Sequence, residues 1–175
     1  LSLAVGVAVA RALTGLGLPD VQLKWPNDIL YEGKKLGGVL LEMVGDATGQ
    51  CQVVVGIGVN VRMPDDAAGA IDQAWTDVGA MTSSTNCPGR NELLGALLDQ
   101  LLPLLAGFER SGFIPWREAW QALDAHAGKS VILSTGGDKA AGVARGVDAR
   151  GALQLETGVG IQSVYGGEIS MRVTE

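Results

Sequence analysis

The sequence is poor in the residues that build metal and redox sites, with one histidine and two cysteines among 175 residues. Cys51 and Cys87 stand alone, without a CxxC pair or a histidine at metal-ligand spacing, so we expect free thiols in a reducing cytoplasm. His126 has no cysteine or carboxylate pattern around it, which favours a surface or packing residue over a catalytic base. The composition therefore gives no indication of a zinc module or a disulfide framework.

Basic charge and long apolar runs are also lacking. The sequence contains 13 Lys and Arg residues but 19 Asp and Glu residues, and Lys34-Lys35 is the only adjacent basic pair. A protein that grips DNA or RNA through phosphates normally has a basic face, so we expect no nucleic-acid partner. The apolar stretch over residues 1–10 ends at Arg11, short of the roughly 20 residues that a membrane span needs. It also lacks the basic start and the cleavage site of a signal peptide, which predicts a cytoplasmic protein without a membrane partner.

What the sequence does contain predicts an α+β chain. Residues 1–16 are apolar nearly all round, which indicates a buried helix. Strands over 21–24, 29–31, 35–44 and 51–61 are separated by turn residues and predict an antiparallel sheet of about three strands against that helix. Residues 63–88 are loop-like and long enough to suggest a function or a short embedded helix.

Two further helices follow, over residues 91–108 and 113–123. The first is predicted to be amphipathic and kinked at Pro103, because apolar residues recur at helical spacing. The residues of this apolar stripe are Leu94, Leu97, Leu98, Leu101, Leu104, Leu105 and Phe108.

From Gly128 onwards the chain changes to short strands and glycine-rich turns. Five strands in so few residues close most naturally into a small SH3-like β-barrel. The strands are predicted at 130–133, 141–146, 152–156, 162–165 and 169–173. We therefore expect two units, residues 1–126 and residues 127–175.

Three clusters in the first 75 residues could carry chemistry. The first is Lys24-Trp25-Pro26-Asn27-Asp28, where a rigid proline turn could hold the polar groups of Asn27 and Asp28 outward. The alternative is a turn whose side chains only bind their own backbone. In the second cluster Lys35 precedes Gly37 and Gly38. Glycines inside a strand indicate the close approach of a ligand, or else a β-bulge with a solvated lysine.

The third cluster is Gly56-Ile57-Gly58-Val59-Asn60-Val61. It lacks the third glycine and the helix of a dinucleotide fingerprint, and we interpret it as a bare strand on which a ring could lie flat. The carboxamide of Asn60 can donate and accept at once, which suits the amino edge of adenine. Trp75 could stack on such a base, although a tryptophan in a loop is also typical of a core anchor.

In this order and spacing the three clusters resemble the consecutive motifs of the biotin–protein ligases, also called biotin–[acetyl-CoA-carboxylase] ligases. Residues 145–148, 151–153 and 166–170 are similar to the C-terminal domain of that family, so the resemblance covers essentially the whole chain. It implies a class II synthetase-like biotin/lipoate ligase catalytic domain, here incomplete, with mixed or antiparallel strands and packed helices. A small SH3-like barrel is expected to follow.

The resemblance implies that biotin and MgATP react to form biotinyl-5′-AMP. Biotin is then transferred to a lysine of the biotin carboxyl carrier domain of acetyl-CoA carboxylase or a related carboxylase. Biotin is thus the expected substrate, with ATP and Mg²⁺ as co-substrates. Members of the family often dimerise by joining sheet edges, and the strand over residues 53–61 is a candidate edge for a homodimer.

The resemblance also assigns roles to residues. Lys35 neutralises the charge that gathers at the biotin carboxyl and the phosphate, and Asp28 orients the acceptor amine or, alternatively, contacts Mg²⁺. The residues matched to biotin binding are Lys35, Gly37, Gly38, Leu40, Gly56 and Gly58. The residues matched to nucleotide binding are Asn27, Asn60, Arg62 and Trp75.

Two parts of the family pattern have no counterpart in the sequence. The loop rich in glycine and arginine and the strand rich in serine and threonine would both precede residue 1, as would the DNA-binding helix-turn-helix of some relatives. We therefore expect an N-terminally truncated ligase with negligible activity on its own. The alternatives are a lipoate or octanoyl ligase-type acyltransferase and a non-catalytic, adenylate-binding regulatory module.

Overall fold

The computed structural model describes residues 1–45, 51–64, 73–82, 87–135, 138–166 and 169–174, which form two antiparallel sheets and four helices. The turn expected at 46–50 lies outside the described residues. So do residues 136–137 and 167–168, which belong to the predicted glycine-rich turns of the second sheet.

Helix α1 (Ser2–Gly15) is the centre of the first unit. Ten of its residues are buried, among them Val5, Val9 and Leu13, which are almost inaccessible to solvent. It packs against the first sheet on one side and against α3 and α4 on the other. A helix without a polar face has to be covered on every side, so the predicted buried helix is confirmed.

The first sheet consists of β1 (Gln22–Lys24), β2 (Asp28–Tyr31), β3 (Lys34–Val44) and β4 (Gln52–Val59), in that order. It has four strands rather than about three, because the short β1 pairs fully with β2. The outer edge of β1 is covered, since Leu23 N–H donates to the Leu123 carbonyl at 2.7 Å and Ala125 N–H donates to the Leu23 carbonyl at 2.8 Å. Among the described residues, the outer edge of β4 has no strand beside it.

The helices after the sheet are α2 (Val78–Met81), α3 (Arg90–Ser111) and α4 (Ile114–Ala122). Helix α2 is the short helix suggested for the long loop. Helix α3 continues through Pro103 to Ser111. Within the described parts of the chain, no helix combines the length and the apolar character that crossing a bilayer requires.

The buried face of α3 differs from the predicted stripe. Its buried residues are Leu93, Leu97, Leu101 and Leu104, whereas Leu94, Leu98, Leu102 and Leu105 are exposed. The predicted stripe was therefore wrong in part: it omitted Leu93 and included three exposed leucines. Because leucines occupy about half of the helix circumference, spacing alone does not tell which of two adjacent faces meets α1.

The second sheet contains β5 (Ser130–Thr135), β6 (Asp138–Val147), β7 (Leu153–Thr157), β8 (Gly160–Val164) and β9 (Ile169–Val173), in the order β8-β7-β6-β5-β9. The five predicted strands are confirmed. Strand β9 returns to pair with β5, and Val131, Leu153, Leu155 and Met171 are buried in the core of this five-stranded sheet. We refer to this unit as the barrel, after the SH3-like barrel predicted for it. Arg117 of α4 ties it to the first unit, because its Nε–H donates to the Val147 carbonyl at 2.8 Å.

The packing of α3 can be tested with two leucine truncations. Leu93 is 4% exposed and Leu102 is 62% exposed. We expect Leu93→Ala to lower the free energy of unfolding by about 2–4 kcal/mol, because it leaves a cavity against α1. Leu102→Ala should change it by less than about 0.5 kcal/mol. Urea unfolding of both variants measures the difference, and a larger loss in Leu102→Ala would show that α3 packs by its other face.

Candidate functional site

The turn that joins β1 to β2 carries two of the predicted site residues. Trp25 is 1% exposed and anchors the turn, and a cis peptide bond links it to Pro26. The Asn27 side-chain amide donates to the Val39 carbonyl at 2.8 Å, and Val39 N–H donates to the Asn27 carbonyl at 2.9 Å. The side chain of Asn27 therefore binds backbone, as in the alternative interpretation, but the backbone is that of β3 and not its own.

Asp28 lies between two ammonium groups. Its Oδ1 is 2.6 Å from Lys35 Nζ and its Oδ2 is 2.9 Å from Lys24 Nζ. Burial alone would raise the pKa of Asp28, but the hydrogen bonds and charges of Lys35 and Lys24 outweigh it and lower the pKa below the ordinary 3.8. Asp28 is therefore a carboxylate at neutral pH, suited to holding cations and not to accepting a proton.

Lys24 was not among the predicted site residues. It lies directly opposite Asp28 in the β1–β2 ladder, which brings the two side chains together. The sequence contains the signal, since the two residues flank a three-residue turn and have opposite charges. Lys35 is not a freely solvated lysine, because it is paired with Asp28 and its side chain is 33% exposed.

A shallow groove of about 450 Å³ runs over β3 and β4. It brings together seven of the predicted site residues: Asn27, Asp28, Lys35, Gly38, Leu40, Gly56 and Gly58. A Cβ added at Gly58 would meet no atom within 4 Å, so the absent side chain leaves open space above the strand. A bare floor that ends at an ammonium group fits a flat ring system with an anionic end.

Gly37 lies beside this groove and does not line it. It is buried, and a Cβ added there would collide with the backbone carbonyl of Gly58 on β4. The close approach of β4 is thus sufficient reason for a glycine at position 37. Next to it, the β2–β3 register shifts between Ile29 and Leu30, which matches the β-bulge considered for this cluster.

Asn60 is tied to backbone behind the groove. Its side-chain amide donates to the Thr76 carbonyl at 3.0 Å and to the Lys35 carbonyl at 3.4 Å, while its own N–H donates to the Leu36 carbonyl at 2.9 Å. Both side-chain donor hydrogens are therefore committed. Of the two properties expected of Asn60, donating and accepting, only accepting remains available to a ligand.

Trp75 and Arg62 do not line the groove among the described residues. Trp75 is half-buried, and its backbone is fixed beside Lys35, because Lys35 N–H donates to the Ala74 carbonyl and Thr76 N–H donates to the Lys35 carbonyl, both at 2.9 Å. Arg62 is exposed and lies near Gly79 of α2. The structure thus places Trp75 close to the site lysine and Arg62 beside α2.

A second cavity, of about 300 Å³, adjoins the groove at Lys35 and lies between the first sheet and the barrel. Lys24, Lys35 and Arg172 give it a positive lining, and His126 forms part of its wall. Arg172 was not predicted from the sequence, because its place on β9 becomes relevant only when the barrel packs against β1 and β2.

His126 is a packing residue and not a cation. It is 9% exposed, and its Nδ1 has no hydrogen-bond partner among the described residues. Burial, with the nearby charges of Lys24 and Lys129, lowers its pKa to about 4. It is therefore neutral at pH 7, so it does not add to the positive charge of the cavity.

The described residues do not fit a protein-held metal ion. They contain no group of three or more His, Cys, Asp and Glu side chains that could surround one. Both oxygens of Asp28 already accept from lysines, so the geometry favours its role as a holder of amines over contact with Mg²⁺.

Two family models match the sequence. The "Biotin/lipoate A/B protein ligase family" matches residues 1–60, and the "Biotin protein ligase C terminal domain" matches residues 126–172. A biotin–[acetyl-CoA-carboxylase] ligase of Paracoccus denitrificans is 35% identical over 168 residues, which are 93% of this chain and 70% of that protein.

The bifunctional ligase/repressor BirA of Escherichia coli is 35% identical over 175 residues, which are 100% of this chain and 54% of that protein. The chain thus spans about half the length of this relative. Among solved structures, the biotin protein ligase from Aquifex aeolicus in complex with biotin and ATP matches with a TM-score of 0.83 and 28% identity. That match covers 99% of this chain and 71% of that one.

The two kinds of glycine in β3 and β4 can be separated by their effect on stability. We expect Gly37→Ala to lower the free energy of unfolding by about 1–3 kcal/mol, because the added methyl group forces β4 away. Gly58→Ala should change it by less than about 0.5 kcal/mol, because the methyl group points into open space. Thermal and urea unfolding measure both, and equal losses would contradict the assignment of Gly37 to strand packing.

His126 should make the fold sensitive to acid. The unfolded chain protonates His126 near its ordinary pKa of 6.5 and the folded chain only near 4, so stability falls as the pH drops through this window. We expect His126→Phe to reduce that fall by roughly 2–3 kcal/mol between pH 7 and pH 4. The measurement is urea unfolding of both proteins across the pH range. Asp28 and Asp124 also have shifted pKa values, but both proteins contain them, so their effect on stability cancels when the two pH profiles are subtracted. Identical pH profiles of the two proteins would contradict the prediction.

Proposed function

This chain belongs to the biotin protein ligase family, and on that premise we propose that the protein forms biotinyl-5′-AMP from biotin and ATP and then transfers biotin to a lysine of a carrier domain. The observation that carries the proposal is the groove with a glycine floor that ends at the Lys35 ammonium group. Biotin, a compact ring system with a carboxylate at the end of its chain, has the shape and charge that such a groove accommodates.

In the first step, a biotin carboxylate oxygen attacks the α-phosphorus of ATP, and the bond from that phosphorus to the bridging oxygen breaks to release pyrophosphate. Two anions have to approach each other, so a cation held at the meeting point lowers the barrier. We assign this role to Lys35, which pairs with Asp28 and lies at the border of the groove and the positively lined cavity. This cavity is where we place the departing phosphates, with Mg²⁺ as the counter-ion that ATP brings.

In the second step, the acceptor amine attacks the carbonyl carbon of the mixed anhydride, and AMP leaves. Asp28 faces the groove as a permanent carboxylate and already holds two ammonium groups. A carboxylate has about four acceptor positions, so a third amine can bind beside Lys24 and Lys35. We assign Asp28 the role of orienting this amine. The proton that the amine loses passes to water and not to Asp28, whose pKa is lowered.

We place the two ligands on opposite sides of Lys35, with biotin in the groove and the nucleotide on the other side. Gly38, Leu40, Gly56 and Gly58 would lie along biotin, with Gly37 keeping β4 in place behind them. The nucleotide would lie toward Asn27, Asn60, Arg62 and Trp75. Asn60 supports this placement because it donates hydrogen bonds to the backbone around Lys35, and Trp75 supports it because its neighbours Ala74 and Thr76 are hydrogen-bonded to Lys35.

We also propose how the chain is organised and which partners it has. We divide the chain into a catalytic part, residues 1–126, and the barrel, residues 127–175. The acceptor is the biotin carboxyl carrier domain of acetyl-CoA carboxylase or a related carboxylase. The edge of β4, which has no strand beside it in the part of the chain that the structure describes, supports a homodimer. The net charge of −6 supports a chain that binds no nucleic acid, and the need for ATP supports a cytoplasmic location.

Two variants of adjacent lysines test the function in the full-length protein. Lys35→Gln should slow formation of biotinyl-5′-AMP by about a hundredfold or more, because it removes the fixed cation. Lys34→Gln is the matched control. It makes the same change at an exposed neighbour that does not line the groove, and it should leave the rate near that of the unmodified protein. Labelled ATP measures the first step, and avidin blotting of the carrier domain measures the second.

The unmodified protein distinguishes the alternatives in the same assay. Adenylation of lipoate or octanoate in place of biotin would identify the acyltransferase alternative. Tight binding of preformed biotinyl-5′-AMP without turnover of ATP would identify a regulatory module. Either result would overturn the ligase proposal, as would equal rates in Lys35→Gln and Lys34→Gln.

A further inference from the structure

A hydrogen bond connects the barrel to the turn that carries Asp28. The indole N–H of Trp25 donates to the backbone carbonyl of Gly151 at 3.2 Å, across 126 positions of sequence. Trp25 is 1% exposed, so this donor is largely shielded from water. A buried donor that loses its acceptor carries the full cost of desolvation, and the contact therefore constrains both partners.

The acceptor belongs to a rigid turn of the barrel, residues 148–151. One carboxylate oxygen of Asp148 accepts from Arg150 N–H at 2.8 Å and from Ala152 N–H at 2.9 Å. Gly151 has a φ of +84°, and a Cβ added there would lie 3.0 Å from a methyl group of Leu3 in α1. Glycine is therefore needed at this point, both for its conformation and for its close contact with α1.

The turn of the first sheet is held at three points. Ser2 Oγ of α1 donates to the Pro26 carbonyl at 3.0 Å, Asn27 exchanges hydrogen bonds with Val39 of β3, and Trp25 binds Gly151 of the barrel. Asp28 follows immediately and begins β2. Of these three contacts, that of Trp25 is the one made by a part of the chain outside residues 1–126.

We propose that Trp25 is a positioning residue, through which the barrel turn 148–151 sets the Asp28 carboxylate for the acceptor amine. The inference rests on the proposed function and adds to it a reason for the barrel to take part in the reaction. Asp28 directly follows the turn and is paired with β1 and β3 in the sheet, whereas Lys35 lies on β3 and is also bound by the strip at residues 74–76. The contact should therefore matter more for transfer of biotin than for formation of the adenylate.

The test is Trp25→Phe in the full-length protein, with both steps measured separately. We expect the single-turnover rate of transfer from biotinyl-5′-AMP to fall at least about tenfold, because a small displacement of an orienting group has a large effect on rate. The rate of adenylate formation should stay near that of the unmodified protein. Trp116→Phe is the control, since it loses the same ring volume at a partly buried tryptophan that lies against Arg11 of α1, and transfer should be unaffected in it.

A double variant shows whether Trp25 acts through Asp28. In an Asp28→Asn background, Trp25→Phe should cause no further loss of transfer rate, because the group that it positions is already changed. Additive losses, equal losses in both steps, or the same effect from Trp116→Phe would overturn the proposal. If the unmodified protein forms no biotinyl-5′-AMP, the proposed function itself fails, which is a separate and recognisable outcome.

A second substitution covers the case in which Trp25→Phe does not fold. Replacing Trp25 with 3-benzothienylalanine exchanges the indole N–H for sulfur and keeps the shape of the ring, so it removes only the donor. The same selective loss of transfer is expected, and an unchanged ratio of the two steps would again overturn the proposal.

Discussion

Covering helix α1 is the constraint on which the rest of this structure depends. The helix has almost no polar surface, so the first sheet, α3 and α4 have to enclose it. Its first turn also contacts both the site turn and the barrel, through Ser2 and Leu3. Helix α1 thus contacts both the strands that bear the site and the barrel beside them, and it holds the two in position relative to each other.

The order and type of the elements could be predicted because they depend on local signals. Period-two strands, glycine turns and leucine spacing locate the helices and strands that the structure contains. The buried face of α3 could not be predicted, because Leu93 and Leu94 are chemically identical and only the surface of α1 decides which of them is buried. Local pattern determines that an element forms, and tertiary packing determines how it is turned.

The same distinction applies to the site. The groove residues were predictable because glycines inside consecutive strands, with a lysine beside them, are local features of the sequence that indicate a bare binding surface. The reason for a glycine at position 37 is not local, since it is the carbonyl of Gly58 on the neighbouring strand. Arg172 and the Trp25–Gly151 contact depend on how the barrel meets the first sheet, which no local pattern encodes. The pairing of Lys24 with Asp28, by contrast, could be predicted from the sequence, because the two oppositely charged residues flank a short turn.

The bonding of Asn60 has a consequence for the choice of nucleotide. An amide whose two donor hydrogens are committed to backbone carbonyls presents only its oxygen to a ligand. A base that lies against this oxygen has to bring a donor, as the 6-amino group of adenine does. The 6-oxo group of guanine would set two acceptors against each other, so in the proposed placement the oxygen of Asn60 favours adenine over guanine at this position.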